Sequence, residues 1–473
     1  METKSAIIVG AGITGLTTAL YLKRAGWNIT ILERMNHYGG SIHTHRENGF
    51  IFESGPNTGM VSYPEVMELF ESLGPDFKYE PANADAKRRL IWKNGRWHDL
   101  PSGLKGGITT PLFKWRDKFR ILLEPFRKPG ANPNETLDQL VKRRLGQSFL
   151  NYAVDPFILG IYAGDPSKLV TRYALPKLYN LEQKYGSFIK GSIKKRKEPK
   201  SDKEKKVTRE MFSIPGGLDQ LVAPMVKEIG PENIILNCRD LTVYPKDNQY
   251  LINYSVDGKK EHFFSPIVIS TTGAHEVPNL LPFLNQKEKA TISNLTYARV
   301  VQVAVGFKKW RGIPIHAFGG LVPYRENRNV LGVLFLSSFL KNRAPKEGAL
   351  LSVFLGGVRK PEVVDYDDET IRKMVMDEIQ SMLLTPTDEK PDLFRIFRHQ
   401  YAIPQYGITT GERLKAVEKI ETQFQGIILA GNLRDGIGMA DRIKQGSQIA
   451  QSLININKTE SPTGHVKTIA HNR

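Results

Sequence analysis

Residues 6–15 read AIIVGAGITG, and after a helical stretch residues 29–35 read ITILERM. Ala6–Val9 is a short apolar run of β type. Gly10, Gly12 and Gly15 follow in G-x-G-x-x-G spacing, Leu16–Arg24 carries helical periodicity, and the apolar run Ile29–Leu32 ends on Glu33. A strand, a glycine turn, a helix and a second strand closed by an acid is the order that a dinucleotide site needs. In such a turn Gly10 makes the bend, Gly12 lets backbone approach a pyrophosphate, and Gly15 lets helix pack on sheet. Ile13 and Thr14 open the helix, whose amide groups and positive end suit a pyrophosphate, and Glu33 suits the ribose hydroxyls. A lone glycine turn without a nucleotide is the plainer reading; the agreement of all four parts weighs against it.

The next residues choose between NAD and FAD. Glu33-Arg34 is followed by Gly39-Gly40-Ser41, and then by FIFESGPN at 50–57. E-R-x(4)-G-G followed by the turn Gly55-Pro56-Asn57 resembles the FAD-binding oxidase superfamily that includes the amine oxidases. The resemblance implies FAD, with Arg34, Gly39, Gly40, Ser41, Gly55, Pro56 and Asn57 beside it. Ser41 stands where most members carry arginine, a departure shared by porphyrinogen oxidases.

At 473 residues the chain is expected to form two or three domains. Its 67 basic against 49 acidic side chains leave a net charge of +18, which suits nucleic acid, an anionic membrane surface or an acidic substrate. The single cysteine, Cys238, excludes an intrachain disulfide or a dithiol pair and fits a reducing compartment. The fingerprint strand begins at about the sixth residue, leaving no room for a signal peptide, and no run approaches the ~20 apolar residues of a spanning helix. A cytoplasmic chain that lies on a membrane without crossing it is expected.

Further along, Tyr63–Leu73 reads as an amphipathic helix and Arg89–Trp97 as a hairpin turning on Asn94-Gly95. Leu112–Phe126 mixes aromatics and leucines with basic residues on an expected helix, either an ordinary surface helix or one lying at a bilayer interface. Thr136–Tyr152 reads as another helix. Lys190–Glu210 is so charged that a mobile loop is expected, and its KKRK run at 194–197 lacks the stacking aromatics of a nucleic-acid site. Contact with anionic lipid suits that run better, and no nucleic-acid partner is expected. Strand-like runs recur at Ile234–Asn237, Tyr250–Ser255, Ser265–Thr271, Arg299–Phe307, Val330–Phe335, Leu350–Phe354 and Gly426–Leu429. Long helices are expected at Tyr366–Leu384 and Ala440–Ile454.

Five separated stretches then add up: DPFILGIYAGDPSKL at 155–169, YALPKLYNLEQKYGSFIKG at 173–191, FSIPGGLDQL at 212–221, HQYAIPQY at 399–406 and LAGNLRDGIGMADRIKQG at 429–446. With the N-terminal motifs they resemble the FAD-dependent protoporphyrinogen oxidases over nearly the whole chain. The resemblance implies an α/β fold with a discontinuous Rossmann-like FAD-binding domain (1–75, 211–295 and 405–456). It also implies a mixed-sheet substrate domain (76–110 and 296–404) and a helical membrane-associating domain (111–190). The charged loop 191–210 and a disordered tail, 457–473, complete the division.

The resemblance places Gly431, Asn432, Gly438 and Met439 near the isoalloxazine ring and Asp240 and Leu241 near the adenine. For substrate it points to Arg88 as a propionate partner, Gly160 facing the tetrapyrrole and Leu340 on a pyrrole ring. Arginine offers a carboxylate two parallel donors, which lysine does not. The implied activity is oxygen-dependent, six-electron oxidation of protoporphyrinogen IX to protoporphyrin IX in haem biosynthesis, with hydrogen peroxide released. The flavin does the chemistry, so no catalytic side chain and no metal is expected; His43 and His45 read as structural or exposed. The implied partners are the porphyrinogen, oxygen and, peripherally, the anionic inner face of the cell membrane, with a homodimer left open. Coproporphyrinogen III is the alternative substrate, favoured by the basic run Lys87–Arg89. A different flavin oxidase or desaturase, or a non-catalytic adaptor built on KKRK, are the other classes.

Overall fold

The computed structural model describes residues 4–101, 103–199, 201–384 and 390–459. The run that opens the chain folds as the central strand of a five-stranded parallel sheet, in the order Ile234–Ile235, Asn28–Leu32, Ser5–Val9, Val268–Ser270, Ile427–Leu429. Ile8, Ile31, Ile269 and Leu429 are fully enclosed because helices and a second layer cover both faces. The Ile13–Arg24 helix leaves the central strand and packs on the final helix, Met439–Thr459, where Gly446 permits contact: a Cβ there would lie 2.6 Å from the Thr14 carbonyl oxygen. A three-stranded antiparallel meander, Arg239–Lys246, Gln249–Val256 and Lys259–Ser265, lies against the other face of the parallel sheet.

A seven-stranded mixed sheet stands beside this unit, in the order Leu393–Pro404, Tyr297–Phe307, Ala349–Gly356, Val330–Phe335, Gly319–Leu321, Arg89–Lys93, Arg96–Asp99. Alternation in the Tyr297–Phe307 strand divides its labour. Val301, Val303 and Val305 pack against Ile371, Val375 and Ile379 of the Asp368–Met382 helix, while Gln302 and Ala304 face the opposite side. The hairpin expected at Arg89–Trp97 forms, with Asn94 and Gly95 both at positive φ (50° and 78°), as a two-residue turn of this hand requires.

Residues 103–197 are mainly helical. Their centre is the fully buried Arg144, whose guanidinium donates to the carboxylates of Glu124 and Glu182. Glu124 also accepts from the Ser187 hydroxyl at 2.6 Å and the Phe188 amide at 2.9 Å. Such a pair is costly to break, since either partner alone is a buried charge.

Three expectations are corrected here. The single helix over Leu112–Phe126 is a shorter one, Trp115–Leu122, followed by one tighter turn, Glu124–Phe126, because Pro125 cannot continue the helical ladder. The helix over Thr136–Tyr152 breaks at Gly146 (φ 99°), where a Cβ would meet Asp117 Oδ1 at 2.2 Å. The charged segment 191–210 is not a loop throughout. Phe188–Lys197 is a helix capped by the Ser187 hydroxyl and anchored by buried Phe188, and Asp202–Lys205 adds one turn under a Ser201–Glu204 capping box. Four basic residues in the last turn of the Phe188–Lys197 helix complement its dipole, so the same charge that argues against folding supports the helix end. Of the expected disordered tail, 457–459 continue the final helix, and 460–473 lie outside the described residues.

Candidate functional site

The glycine turn combines tight backbone packing at Gly10 and Gly15 with open space at Gly12, so it is a candidate phosphate cradle. Gly10 adopts φ 104°, and a Cβ on it would sit 2.7 Å from Thr271 Oγ1, whose hydroxyl lies 2.9 Å from the Val9 carbonyl oxygen. A Cβ on Gly15 would lie 2.0 Å from the Gly10 carbonyl oxygen, so helix and turn are in direct backbone contact. Gly12 is the opposite case: nothing lies within 4 Å of the position of its Cβ. It caps the Ile13–Arg24 helix with no side-chain hydrogen bond and no acid in the first turn, leaving the helix's amide end facing that open space. Thr14 is buried, its hydroxyl 3.3 Å from the Arg442 carbonyl oxygen.

The second glycine pair closes on the first. The Gly39 amide donates to the Ala11 carbonyl at 2.8 Å, and a Cβ on Gly40 would approach Gly12 Cα to 3.0 Å. Gly55 is held as tightly against Ser41, with 1.9 Å from its Cβ position to the Ser41 carbonyl oxygen. Glu33 is buried at the strand end, its carboxylate accepting the Ala11 amide at 2.6 Å and the Met35 amide at 2.8 Å. Each oxygen keeps a lone pair for a further donor. Arg34 turns outward into an ion pair with Glu276 at 2.6 Å and is largely exposed. The Cys238 amide donates to the Glu33 carbonyl at 2.9 Å, bringing Asp240 and Leu241 to the same edge. There Asp240 takes positive φ (52°) at a bulge and its carboxylate accepts from the Ser255 hydroxyl. Burial pushes the Cys238 thiol up to about 11.

From this cradle a cavity of about 2850 Å³ runs to the mixed sheet. Ile13, Ser41, Gly55, Pro56, Asn57, Asn432, Gly438 and Met439 line its inner end. Tyr297 donates to Asn432 Oδ1 at 3.2 Å. The Tyr406 hydroxyl lies 2.8 and 2.9 Å from the Asn432 and Gly436 carbonyl oxygens, fixing the turn before the final helix. Gly431, at φ 82°, presses on the Thr271 carbonyl. Buried Asn57 Oδ1 has no hydrogen-bond partner among the described residues, and buried polar atoms are rarely left so. Ile13 at the uncapped helix end and the orphaned Asn57 amide oxygen line this cavity, and the buried Glu33 carboxylate, with spare lone pairs, accepts the Ala11 amide beside them; together they fit an FAD.

At the outer end, Gly160 of the Asp155–Tyr162 helix faces Leu321, and Leu331 and Val333 supply an apolar wall. Two expected substrate residues stand apart from the cavity lining. Arg88 and Arg89 are both exposed; Arg88 is ion-paired with Asp99 at 2.8 and 3.1 Å, whereas Arg89 lines the cavity, 6.0 Å from the Phe318 ring centre. Leu340 is buried among Phe50, Leu336 and Phe339, because the helical turn Leu336–Phe339 carries it away from the cavity. Gln302, His399 and Tyr406 also line the cavity; His399 and Tyr406 are the two ends of the HQYAIPQY stretch, whereas no motif marks Gln302.

Burial holds His43, His45, His98, His275 and His399 below the ordinary imidazole value. As pH falls through about 6.5 the unfolded chain takes up protons that these folded imidazoles resist, so stability declines on acidification. Buried Glu53, held above the usual carboxyl range, opposes the trend at lower pH. Thermal melts at pH 7.5, 6.0 and 5.0 are expected to show steadily falling midpoints; a constant midpoint down to pH 5 would contradict this.

The family profile described as flavin containing amine oxidoreductase matches residues 13–454. Protoporphyrinogen oxidase 2, chloroplastic/mitochondrial, of Arabidopsis thaliana is 27% identical, with 95% of this chain and 94% of that protein aligned. Coproporphyrinogen III oxidase of Bacillus subtilis is 23% identical over 94% and 96% of the two chains. A crystal structure of an Exiguobacterium sp. 255-15 protein has the same fold, with a TM-score of 0.80 at 24% identity over 96% of this chain and 99% of that one.

Proposed function

We propose, from the premise that the chain belongs to the flavin containing amine oxidoreductase family, that it oxidises protoporphyrinogen IX to protoporphyrin IX. Overall, one porphyrinogen and three O2 give one porphyrin and three H2O2. The observation that carries this reading is one cavity lined both by Ile13, Gly55, Asn57, Asn432 and Met439 and by an apolar wall beside Arg89. The full-length likeness to an Arabidopsis protoporphyrinogen oxidase supports it.

FAD, when bound, supplies the hydride acceptor. The chain binds and orients. Gly12, Gly40 and the helix end take the pyrophosphate, Glu33 the ribose, and the Asn432–Met439 turn, braced by Tyr297 and Tyr406, takes the ring. The wall formed by Gly160, Leu321, Leu331 and Val333 receives the macrocycle and excludes water. Arg89 takes a propionate, and pyrrole N–H protons leave to solvent, so the site needs no general base.

Coproporphyrinogen III, with four propionates, is a second reading. It is favoured by Arg172 and Lys177, which line the same cavity and form no carboxylate ion pair among the described residues. The appearance of porphyrin fluorescence in air with each porphyrinogen decides between them. A higher kcat/KM for protoporphyrinogen is expected; a higher value for coproporphyrinogen transfers the assignment.

The reading extends to a membrane. Among the described residues no helix is long and apolar enough to cross one. Yet Trp115, Phe119 and Leu122, on one face of a short helix, are each about 60% exposed (61%, 62% and 62%), and Phe126 is 80% exposed. Lys118 sits 4.4 Å from the Trp115 ring and Lys190 5.3 Å from that of Phe126. Aromatics flanked by cations suit peripheral docking on an anionic bilayer, here the inner face of the cell membrane. Phe119→Ser with Phe126→Ser is expected to reduce co-flotation with anionic vesicles about ten-fold; unchanged flotation would remove the docking face from the account.

A further inference from the structure

Arg442 is a buried cation where helix geometry disfavours one. It is the fourth residue of the final helix, its amide donating to the Gly438 carbonyl at 3.1 Å, and the positive end of a helix repels a guanidinium. The residue is 8% exposed, and Nε is buried without a partner. Among the described residues its other nitrogens donate only to neutral acceptors: the Gly431 carbonyl, Gln445 Oε1 at 2.9 Å and the Arg434 carbonyl at 2.8 Å. The two acids whose charges reach it are engaged elsewhere. Asp435 accepts from Gln445 at 2.8 Å and is 43% exposed, and Asp441 accepts the Gly438 amide at 2.9 Å. A buried charge without an ion partner is expensive, and a strut between carbonyls does not require one.

Arg442 lines the same cavity as Asn432, Gly438 and Met439. We propose that Arg442 is a positioning residue for the reduced cofactor, bracing the Gly431–Asn432 turn and setting a positive charge behind the ring that becomes negative on reduction. A bound neutral flavin that took up a hydride, two electrons and one proton, would carry one net negative charge. The substrate's N–H proton goes to solvent, so that negative charge remains in the site. The fork of Arg442 places the compensating cation there before substrate arrives.

The inference rests on FAD being the cofactor, so flavin content of the purified variants is measured first and reports separately on that reading. Sulfite is the probe: its addition to oxidised flavin also leaves a negative charge on the ring, and its affinity is read by bleaching without turnover. In the holoenzyme, Arg442→Gln is expected to weaken sulfite binding about ten-fold or more and to lower the flavin midpoint potential. Arg442→Lys, which keeps the charge and loses the fork, is expected to stay within about three-fold of the parent. Parental sulfite affinity and potential in Arg442→Gln would overturn the proposal. If Arg442→Gln fails to hold FAD, the lysine variant decides. A large loss of sulfite affinity in flavin-loaded Arg442→Lys, or loss of FAD from both variants, would leave Arg442 a strut and overturn the proposal.

Discussion

Replacing Gly12 by valine is expected to yield a folded, colourless protein. The residue sits at φ −73° and ψ 173°, a conformation valine adopts, and its Cβ would meet nothing within 4 Å. The cost to the fold is that of a poorer helix N-cap, about 1 kcal/mol. The cost to the cofactor is large, because the added methyl groups occupy the space through which a pyrophosphate reaches the helix amides. Purified Gly12→Val should keep the parental circular dichroism and lose its flavin absorbance near ~450 nm, with FAD affinity reduced ~100-fold or more. Gly15→Val is the contrasting case. Its Cβ would lie 2.0 Å from the Gly10 carbonyl oxygen, so the fold itself must shift, at a cost of about 3 kcal/mol. Thermal melting and absorbance together separate the two. Full flavin loading in Gly12→Val would move the cofactor elsewhere.

The second large effect lies at the other end of the cavity. Arg89→Ala is expected to lower kcat/KM about 10²-fold, the value of two charge-assisted hydrogen bonds to a bound propionate. Arg88→Ala removes only an exposed ion pair with Asp99, worth at most about 1 kcal/mol, and should leave turnover nearly unchanged. A porphyrinogen without carboxylates should not distinguish Arg89→Ala from the parent. If Arg88→Ala is the damaging change, the propionate site belongs on the outer face of the strand.

The Arg88 and Arg89 outcome shows where sequence reading reaches its limit. The hairpin was legible, because alternating apolar residues flank an Asn-Gly turn and only a few residue types accept its two positive φ angles. Which of two adjacent arginines faces inward was not, since a one-residue slip in a strand exchanges its faces. The glycine fingerprint was legible for the same kind of reason as the turn: Gly10 takes φ 104°, and a Cβ on Gly15 would lie 2.0 Å from the Gly10 carbonyl oxygen. The fate of the charged stretch after Ser187 was hidden because composition does not report that Phe188 finds a buried seat. Nor does it show that four cations fall at the favourable end of a helix. Leu340 stands off the cavity because one helical turn, Leu336–Phe339, interrupts a run that otherwise reads as extended. Arg442 drew no notice in the sequence, since its isolation from carboxylates exists only in three dimensions.

The central claim is that this chain's flavin takes electrons from a porphyrinogen. Anaerobic mixing of the yellow holoenzyme with protoporphyrinogen IX tests it without oxygen or coupled steps. The account predicts bleaching of the flavin absorbance together with rising porphyrin fluorescence, three flavins reduced for each porphyrin formed, and recovery of the yellow colour on admitting air. A flavin spectrum that stays oxidised under protoporphyrinogen and coproporphyrinogen alike would contradict it.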